Sequence, residues 1–389
     1  MRQSCKFGLP QLNLLTKPTH NVEQETTFYE ELQGESGLDL RDRRGKKHDL
    51  VFVLLGVMVG LLRNRDGNLS SIHRCMVNTH WRLCELLGVK IARVVSRAQL
   101  PRILASVNRE LFEELLFKFT KIELGEQELQ WFAGDGKELR GSIAKGSKRG
   151  EVSVQLVRHE DGGVVGQAFY NGTKESEKPC LQQLVETTGV KSQKITADAL
   201  HLHPCMTEMV EQAGGVFVIG LKDNQKELLQ DMIDHTKVFA PRTEHQTVDK
   251  GHGRLEIRHY ACFEVRGEYF ESRWAHSGFS SLIAVKRTRT LLKNKDSSEE
   301  MSYYLSNGKS ENALEYFGAV RNHWSIEVNN HYRDVSLKED QFQTKKNLLQ
   351  SLWPVLEPWS WNYYDDGTQA MSSLKWSDFR ITLTSYSTL

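Results

Sequence analysis

Near residue 129 the hydrophobic pattern of this 389-residue chain changes period, and that change limits the folds open to it. Between residues 49 and 120 apolar side chains recur at helical spacing. Residues 50–55 open a buried helix, and Ser70-Ser71-Ile72 reads as a cap and helix start. Trp81, Leu83, Leu86 and Leu87 continue that stripe, and residues 96–104 and 111–116 add amphipathic segments. From residue 129 the period becomes two. Residues 129–135, 151–159 and 164–170 read as consecutive strands joined by turns such as Asp161-Gly162-Gly163. A helix over 176–188, a strand ending at Asp198, a helix over 204–213 and a strand over 215–220 follow.

Three antiparallel strands followed by alternating helix and parallel strand predict a mixed α/β fold with a ribonuclease H-like catalytic core. In such a core the first and fourth strands are neighbours, so Asp135 and Asp198 are expected to meet at one edge. Around it we expect an N-terminal arm (1–40) and an all-helical N-terminal domain (41–125), either a DNA-binding module or plain helical packing. The core itself is expected over 126–220 and again over 310–389, where it ends in a C-terminal tail. Residues 221–309 separate the two parts as an inserted β subdomain, with strands over 251–258, 260–265, 281–286 and 302–305.

Three carboxylates stand in settings suited to chemistry. Asp135 lies in Trp131-Phe132-Ala133-Gly134-Asp135-Gly136-Lys137, where an apolar strand meets small residues, and Asp198 ends Lys194-Ile195-Thr196-Ala197-Asp198. Glu327 lies in the helical stretch His323-Trp324-Ser325-Ile326-Glu327. Two strand-end aspartates and a helical glutamate can hold two divalent ions about 3.5–4 Å apart and clamp both oxygens of a phosphoryl transfer. Hard oxygen ligands with open positions suit Mg²⁺, with Mn²⁺ as its substitute. Taken singly, each reads more readily as a structural acid; it is the three together that suggest chemistry.

Composition excludes several classes. With 39% hydrophobic and 26% charged residues the chain is ordinary globular material. Its net charge of +1 is uninformative, but Arg41-Asp42-Arg43-Arg44-Gly45-Lys46-Lys47, Lys145 with Lys148 and Arg149, and Lys286-Arg287-Thr288-Arg289 concentrate basic charge. Such runs are either solvated faces or contacts for a phosphate backbone. Six cysteines without C-x-x-C spacing argue against a zinc site or a disulfide framework. The longest apolar run, residues 50–62, is too short for a membrane span, and no membrane partner is expected. A cytoplasmic location follows as the expectation.

Several segments together resemble a known family. They are Gly134-Asp135-Gly136-Lys137-Glu138-Leu139-Arg140-Gly141-Ser142, Thr196-Ala197-Asp198-Ala199-Leu200-His201 and Val218-Ile219-Gly220-Leu221-Lys222-Asp223-Asn224-Gln225. Gly251-His252-Gly253-Arg254-Leu255-Glu256-Ile257-Arg258 and Arg321-Asn322-His323-Trp324-Ser325-Ile326-Glu327 complete the set. In this order they resemble the DDE transposases of bacterial insertion sequences, in the group containing the H-repeat-associated proteins. The resemblance implies the triad Asp135, Asp198 and Glu327 and a β insertion before the glutamate. It also implies metal-dependent cleavage at element ends, strand transfer into target DNA, and a homodimer pairing the two terminal inverted repeats. The chain departs from the pattern at Val328, where Asn is usual, and in a Trp- and Pro-rich stretch beyond residue 351.

Further candidates keep two readings each. Lys137 and Arg140 are phosphate contacts or parts of a solvent-facing hairpin, and Arg43, Arg44, Lys46 and Lys47 contact DNA or merely face water. His201 is a local hydrogen-bonder or a DNA contact. Arg254 with Glu256 reaches DNA or pairs across strands, and Arg321 and His323 serve phosphate contact or helix packing. Trp274 and Trp324 stack on a displaced base or lie buried. Two rival functions also stand: a transposase-derived DNA-binding protein that has lost transposition, and a stand-alone nuclease of the same fold.

Overall fold

Among the residues that the computed structural model describes (28–63, 68–119, 124, 128–139, 143, 146, 150–171, 176–266, 270, 272–324, 326–327 and 330), the N-terminal part is helical. It contains α1 (Phe28–Gly34), α2 (Leu50–Arg63), α3 (Leu69–Leu87), α4 (Leu100–Leu104) and α5 (Arg109–Phe119). Because α2 is apolar on every side, it lies in the middle of this group, with Leu54, Val57 and Met58 essentially inaccessible. Asn68 caps α3 by accepting the Ser70 N–H at 2.9 Å, and Gly88 ends it at a φ of 65°, where a side chain would be strained. The end of the expected arm is packed structure: Phe28 and Leu32 are buried in this core, and Asp39 bridges to Val107. A Cβ on Gly60 would lie 2.8 Å from Ile72 Cγ2 and 3.2 Å from the Ile72 carbonyl oxygen, so α2 meets α3 at backbone distance.

The rest is built on one sheet. In chain order it comprises β1 (Trp131–Glu138), β2 (Glu151–Arg158), β3 (Val164–Asn171), α6 (Glu177–Thr187), β4 (Lys194–Ala197), α7 (Pro204–Gln212) and β5 (Val216–Leu221). There follow α8 (Lys226–Val238), β6 (Thr243–Gly251), β7 (Arg254–Glu264), β8 (Ser281–Leu291), β9 (Ser297–Ser306) and α9 (Ala313–Asn322). The strand order is β3-β2-β1-β4-β5-β9-β8-β7-β6. Strand β4 is parallel to both β1 and β5, and the other described pairings are antiparallel.

Period-two alternation divides the apolar residues between two faces. Phe217, Ile219 and Leu282 join Leu181, Val185, Met206, Val210 and Met232 of α6, α7 and α8. Val218, Tyr260, Ile283 and Val285 turn the other way, onto Tyr316 and Phe317 of α9. Residues 251–258 and 260–265, expected as separate strands, are a turn and the single strand β7. Helix α8 and strand β6 fill residues that we expected to be β-subdomain chain. Strand β9 pairs with β5, so the strands of 243–306 extend the core sheet rather than closing on themselves. No described helix is long and apolar enough to cross a membrane.

Gly60→Val should therefore force α2 and α3 apart and destabilise the protein by about 1–3 kcal/mol in urea unfolding. Gly34→Ala, at a position with nothing within 4 Å of the added Cβ, should stay within about 0.5 kcal/mol of the parent. An unshifted Gly60→Val curve would contradict the close approach.

Candidate functional site

Parallel pairing between β1 and β4 decides where the site lies. Ala133 pairs with Thr196 and Gly134 with Ala197, so the next residues along, Asp135 and Asp198, come out beside each other. Asp198 caps the short 3-10 turn Ala199–His201, accepting the Leu200 N–H at 2.8 Å. The Asp135 carboxyl is pushed up to about 7, first by burial and then by the charges of Asp198 and Glu177; the Gly136 N–H and His201 offset part of this. A displacement of that size corresponds to roughly 4 kcal/mol against ionisation. Asp135 Oδ2 accepts a hydrogen bond from Asn330 Nδ2 at 3.3 Å.

Glu177, at the start of α6, was not singled out in the sequence. It is 7% exposed, accepts the Tyr170 hydroxyl at 3.0 Å and lies 3.3 Å from His201 Nε2. Gly136 makes room for it: a Cβ there would stand 2.5 Å from Glu177 Cδ. The second glycine of Gly-Asp-Gly was the available signal, because a missing side chain in a strand marks a close neighbour.

The segment after α9 is tied to both strands. His323 Nδ1 lies 2.9 Å from Thr196 Oγ1, and His159 Nε2 approaches the same oxygen at 2.9 Å. Burial pushes His323 down to about 4 and His159 down to about 3. Helical residues continue at Trp324, Ile326, Glu327 and Asn330. His323, Glu327 and Asn330 are spaced i, i+4 and i+7, so they share one stripe whose two ends touch β4 and β1. Ile326 packs with Ala133 and Val157.

Glu327 itself is exposed. It lines an open cavity of about 370 Å³ with Lys222, Arg258, Arg287, Arg321 and His323, and its charge acts on Tyr304 of β9. Among the described residues no three His, Cys, Asp or Glu side chains converge as ligands of one ion. The aspartates are thus a preformed pair, and the glutamate stands on the neighbouring rim.

Other candidates are placed as follows. Lys137 is 9% exposed on β1 and His201 is fully buried, so neither stands at the surface where the phosphate reading put it. Arg140 lies outside the described residues, as does the Trp- and Pro-rich stretch beyond residue 351. Arg43 and Arg44 are exposed on a 3-10 turn capped by Asp42; Lys46 donates to the Asp39 carbonyl at 3.1 Å, and Lys47 is exposed. Arg254 lies 3.6 Å from Glu256, which is 3% exposed. His203 accepts the Met206 N–H at 3.3 Å through Nδ1. Trp274 is buried, while Trp324 stays 38% exposed with the Arg287 and Arg321 guanidiniums each 5.8 Å from its ring.

No family model matches the chain. It is 24% identical over 261 residues to the "H repeat-associated putative transposase YhhI" of Escherichia coli (strain K12), spanning 65% of this chain and 69% of that protein. The chain resembles the H-repeat group. The same identity and coverage relate it to "Putative protein YbfL" of Escherichia coli (strain K12). "Putative transposase YncI" of Escherichia coli O157:H7 is 26% identical over 258 residues, covering 64% of this chain and 65% of its own length.

The buried His159 supplies a test of this geometry. Its folded-state pKa, about 3, lies below the unfolded value near 6.5, so its contribution to stability is complete above roughly pH 6.5 and fades as pH falls through about 3. His159→Gln should remove a slope of up to about 1.4 kcal/mol per pH unit from the acid side of the stability profile. An identical profile for parent and variant would contradict a neutral His159 at Thr196.

Proposed function

We propose that the chain is a DNA transposase that cleaves element ends and transfers them into target DNA, with Asp135, Asp198 and Glu327 as its metal-binding carboxylates. The observation that carries this reading is the aspartate pair on neighbouring parallel strands, with Asp135 held near neutrality. Adjacent half-buried carboxylates of this kind are costly unless a cation joins them, and the donors are the hard oxygens that suit Mg²⁺ or Mn²⁺. The donor set therefore fits a divalent site. The names of the relatives support the substrate class. The order β3-β2-β1-β4-β5, antiparallel through β1 and then parallel, supports reading these strands as a ribonuclease H-like core.

In this reading Asp135 and Asp198 would hold the cations and Glu327 would complete the set from its rim position, guided by the anchored His323 and Asn330. The bound ions would supply activation of water or a 3′-hydroxyl and neutralisation of the leaving oxygen. His323, neutral and fixed on Thr196, keeps the glutamate-bearing helix over the strand ends. Lys222, Arg258, Arg287 and Arg321 line the approach and match a phosphate backbone in charge. Cut-and-paste transfer needs both ends at once, so we propose a homodimer on double-stranded DNA.

Asp135→Asn, Asp198→Asn and Glu327→Gln should each reduce metal-dependent cleavage of duplexes carrying the inverted repeats by at least about a hundredfold, judged against single-donor losses at charged transition states. Duplex affinity should change little, because it comes from basic side chains. Near-parental cleavage by any one variant removes that residue from the set. Cleavage without joining to a target duplex would favour the stand-alone nuclease.

A further inference from the structure

The motif Gly251-His252-Gly253-Arg254-Leu255-Glu256-Ile257-Arg258 has so far supplied little to the site. Its first half is a turn: His252 and Gly253 have φ of 48° and 73°, the positive values that a tight two-residue hairpin loop needs at both positions. Gly251 pairs with Arg254 across it, which sets the register of β7 against β6. Arg254, Glu256 and Arg258 then alternate onto the face of Tyr260, whose ring stacks on Phe317 of α9. On β8, Arg289 pairs with Glu256 and Arg287 with Arg258, on the face of Val285. Trp131 packs against this same apolar cluster, so alternation along β1 puts Asp135 on that side of the sheet too. The motif and the aspartate pair share one face.

At its centre is a buried carboxylate among four guanidiniums. Glu256 Oε1 accepts from Arg287 Nε at 2.9 Å and contacts Arg258, while Arg254 Nε and Arg289 Nε each stand 3.6 Å from Oε2. Burial opposes ionisation of Glu256, but the Arg287 hydrogen bond and the charges of Arg258, Arg287 and Arg254 outweigh it and hold the carboxyl below its usual range. The four arginines are not equivalent. Arg258 is also held by Asp249 at 2.7 Å, and Arg287 faces Glu300 at 3.7 Å. Arg254 and Arg289 have no second carboxylate among the described residues. At 3.6 Å their contacts with Glu256 are too long for hydrogen bonds, and each side chain is 36% exposed. Arg289 Nε is buried without a hydrogen-bond partner, so what these two side chains offer a ligand is their remaining guanidinium N–H groups.

We infer that Glu256 is a positioning residue that holds Arg254 and Arg289 as a two-pronged contact for the phosphate backbone of duplex DNA, on the face that carries the aspartate pair. Arg258 and Arg287 are the fixed parts of its shell. One carboxylate cannot neutralise four guanidiniums, and a phosphodiester is the acidic partner that a planar fork of donors fits best. The inference rests on the DNA reading above and adds to it which arginines touch and which only hold.

The test is fluorescence anisotropy of a labelled mixed-sequence duplex, with affinity followed against salt. Arg254→Gln combined with Arg289→Gln should lower the slope of log affinity against log salt by about 1.8, from two lost phosphate contacts. Its thermal midpoint should match the parent, and Arg254→Lys with Arg289→Lys should restore most of the slope. Glu256→Gln should lower the slope in the same direction, because the two prongs lose their anchor. If Glu256→Gln does not fold, Glu256→Asp takes its place, and a folded Glu256 variant with the parental slope overturns the positioning role. A folded double variant with parental slope and affinity overturns the inference while leaving the DNA reading standing. A parent protein that binds no duplex at any salt overturns both.

Discussion

The parallel pairing of β1 with β4 is the constraint on which the proposed chemistry depends. Gly134 opposite Ala197 leaves Asp135 and Asp198 no choice but to emerge together, and burial with the neighbouring charge then pushes the Asp135 carboxyl up. The surroundings keep that arrangement rather than relieving it. Glu177 presses a third carboxylate towards Asp135 through the gap left by Gly136, and the Asn330 amide contributes one hydrogen bond. Such a cluster is poor design for stability, and the cation proposed above would relieve it.

The same sheet carries its basic counterpart. Because β9 pairs with β5, the strands β6 to β9 continue the sheet, and their α9-side face runs on from that of the aspartates. The open cavity between the two regions collects Lys222, Arg258, Arg287 and Arg321 around Glu327. Acid pair and basic cavity are thus parts of one surface, and strand alternation decides which residues belong to it.

Much of the core was legible because its signals are local. The period-two strands, the turn at Asp161-Gly162-Gly163, and the inward residues Leu181, Leu184 and Val185 of α6 all emerged close to where the pattern put them. What escaped depends on contacts distant in sequence. Phe28 and Leu32 look like isolated apolar residues until α2 and its neighbours receive them. Helix α8 buries only Leu228 and Met232 fully, too thin a stripe to stand out. Strand β6 is mostly exposed, so its alternation has little apolar contrast. Lys137 and His201 suggest phosphate contacts by type, yet β1 and the turn after β4 bury them. The sharing of Thr196 Oγ1 by His159 and His323, 37 and 127 residues away, has no counterpart in any sequence spacing.

Divalent-ion binding by the free protein tests the central claim most directly, because it asks for the cation without the reaction. Titration with Mn²⁺, followed by water-proton relaxation or calorimetry, should show binding in the parent chain. That binding should be lost when Asp135→Asn and Asp198→Asn are combined, with the helical and sheet signals unchanged. Equal Mn²⁺ binding by parent and double variant, or none by the parent, would contradict the aspartate pair as a cation site.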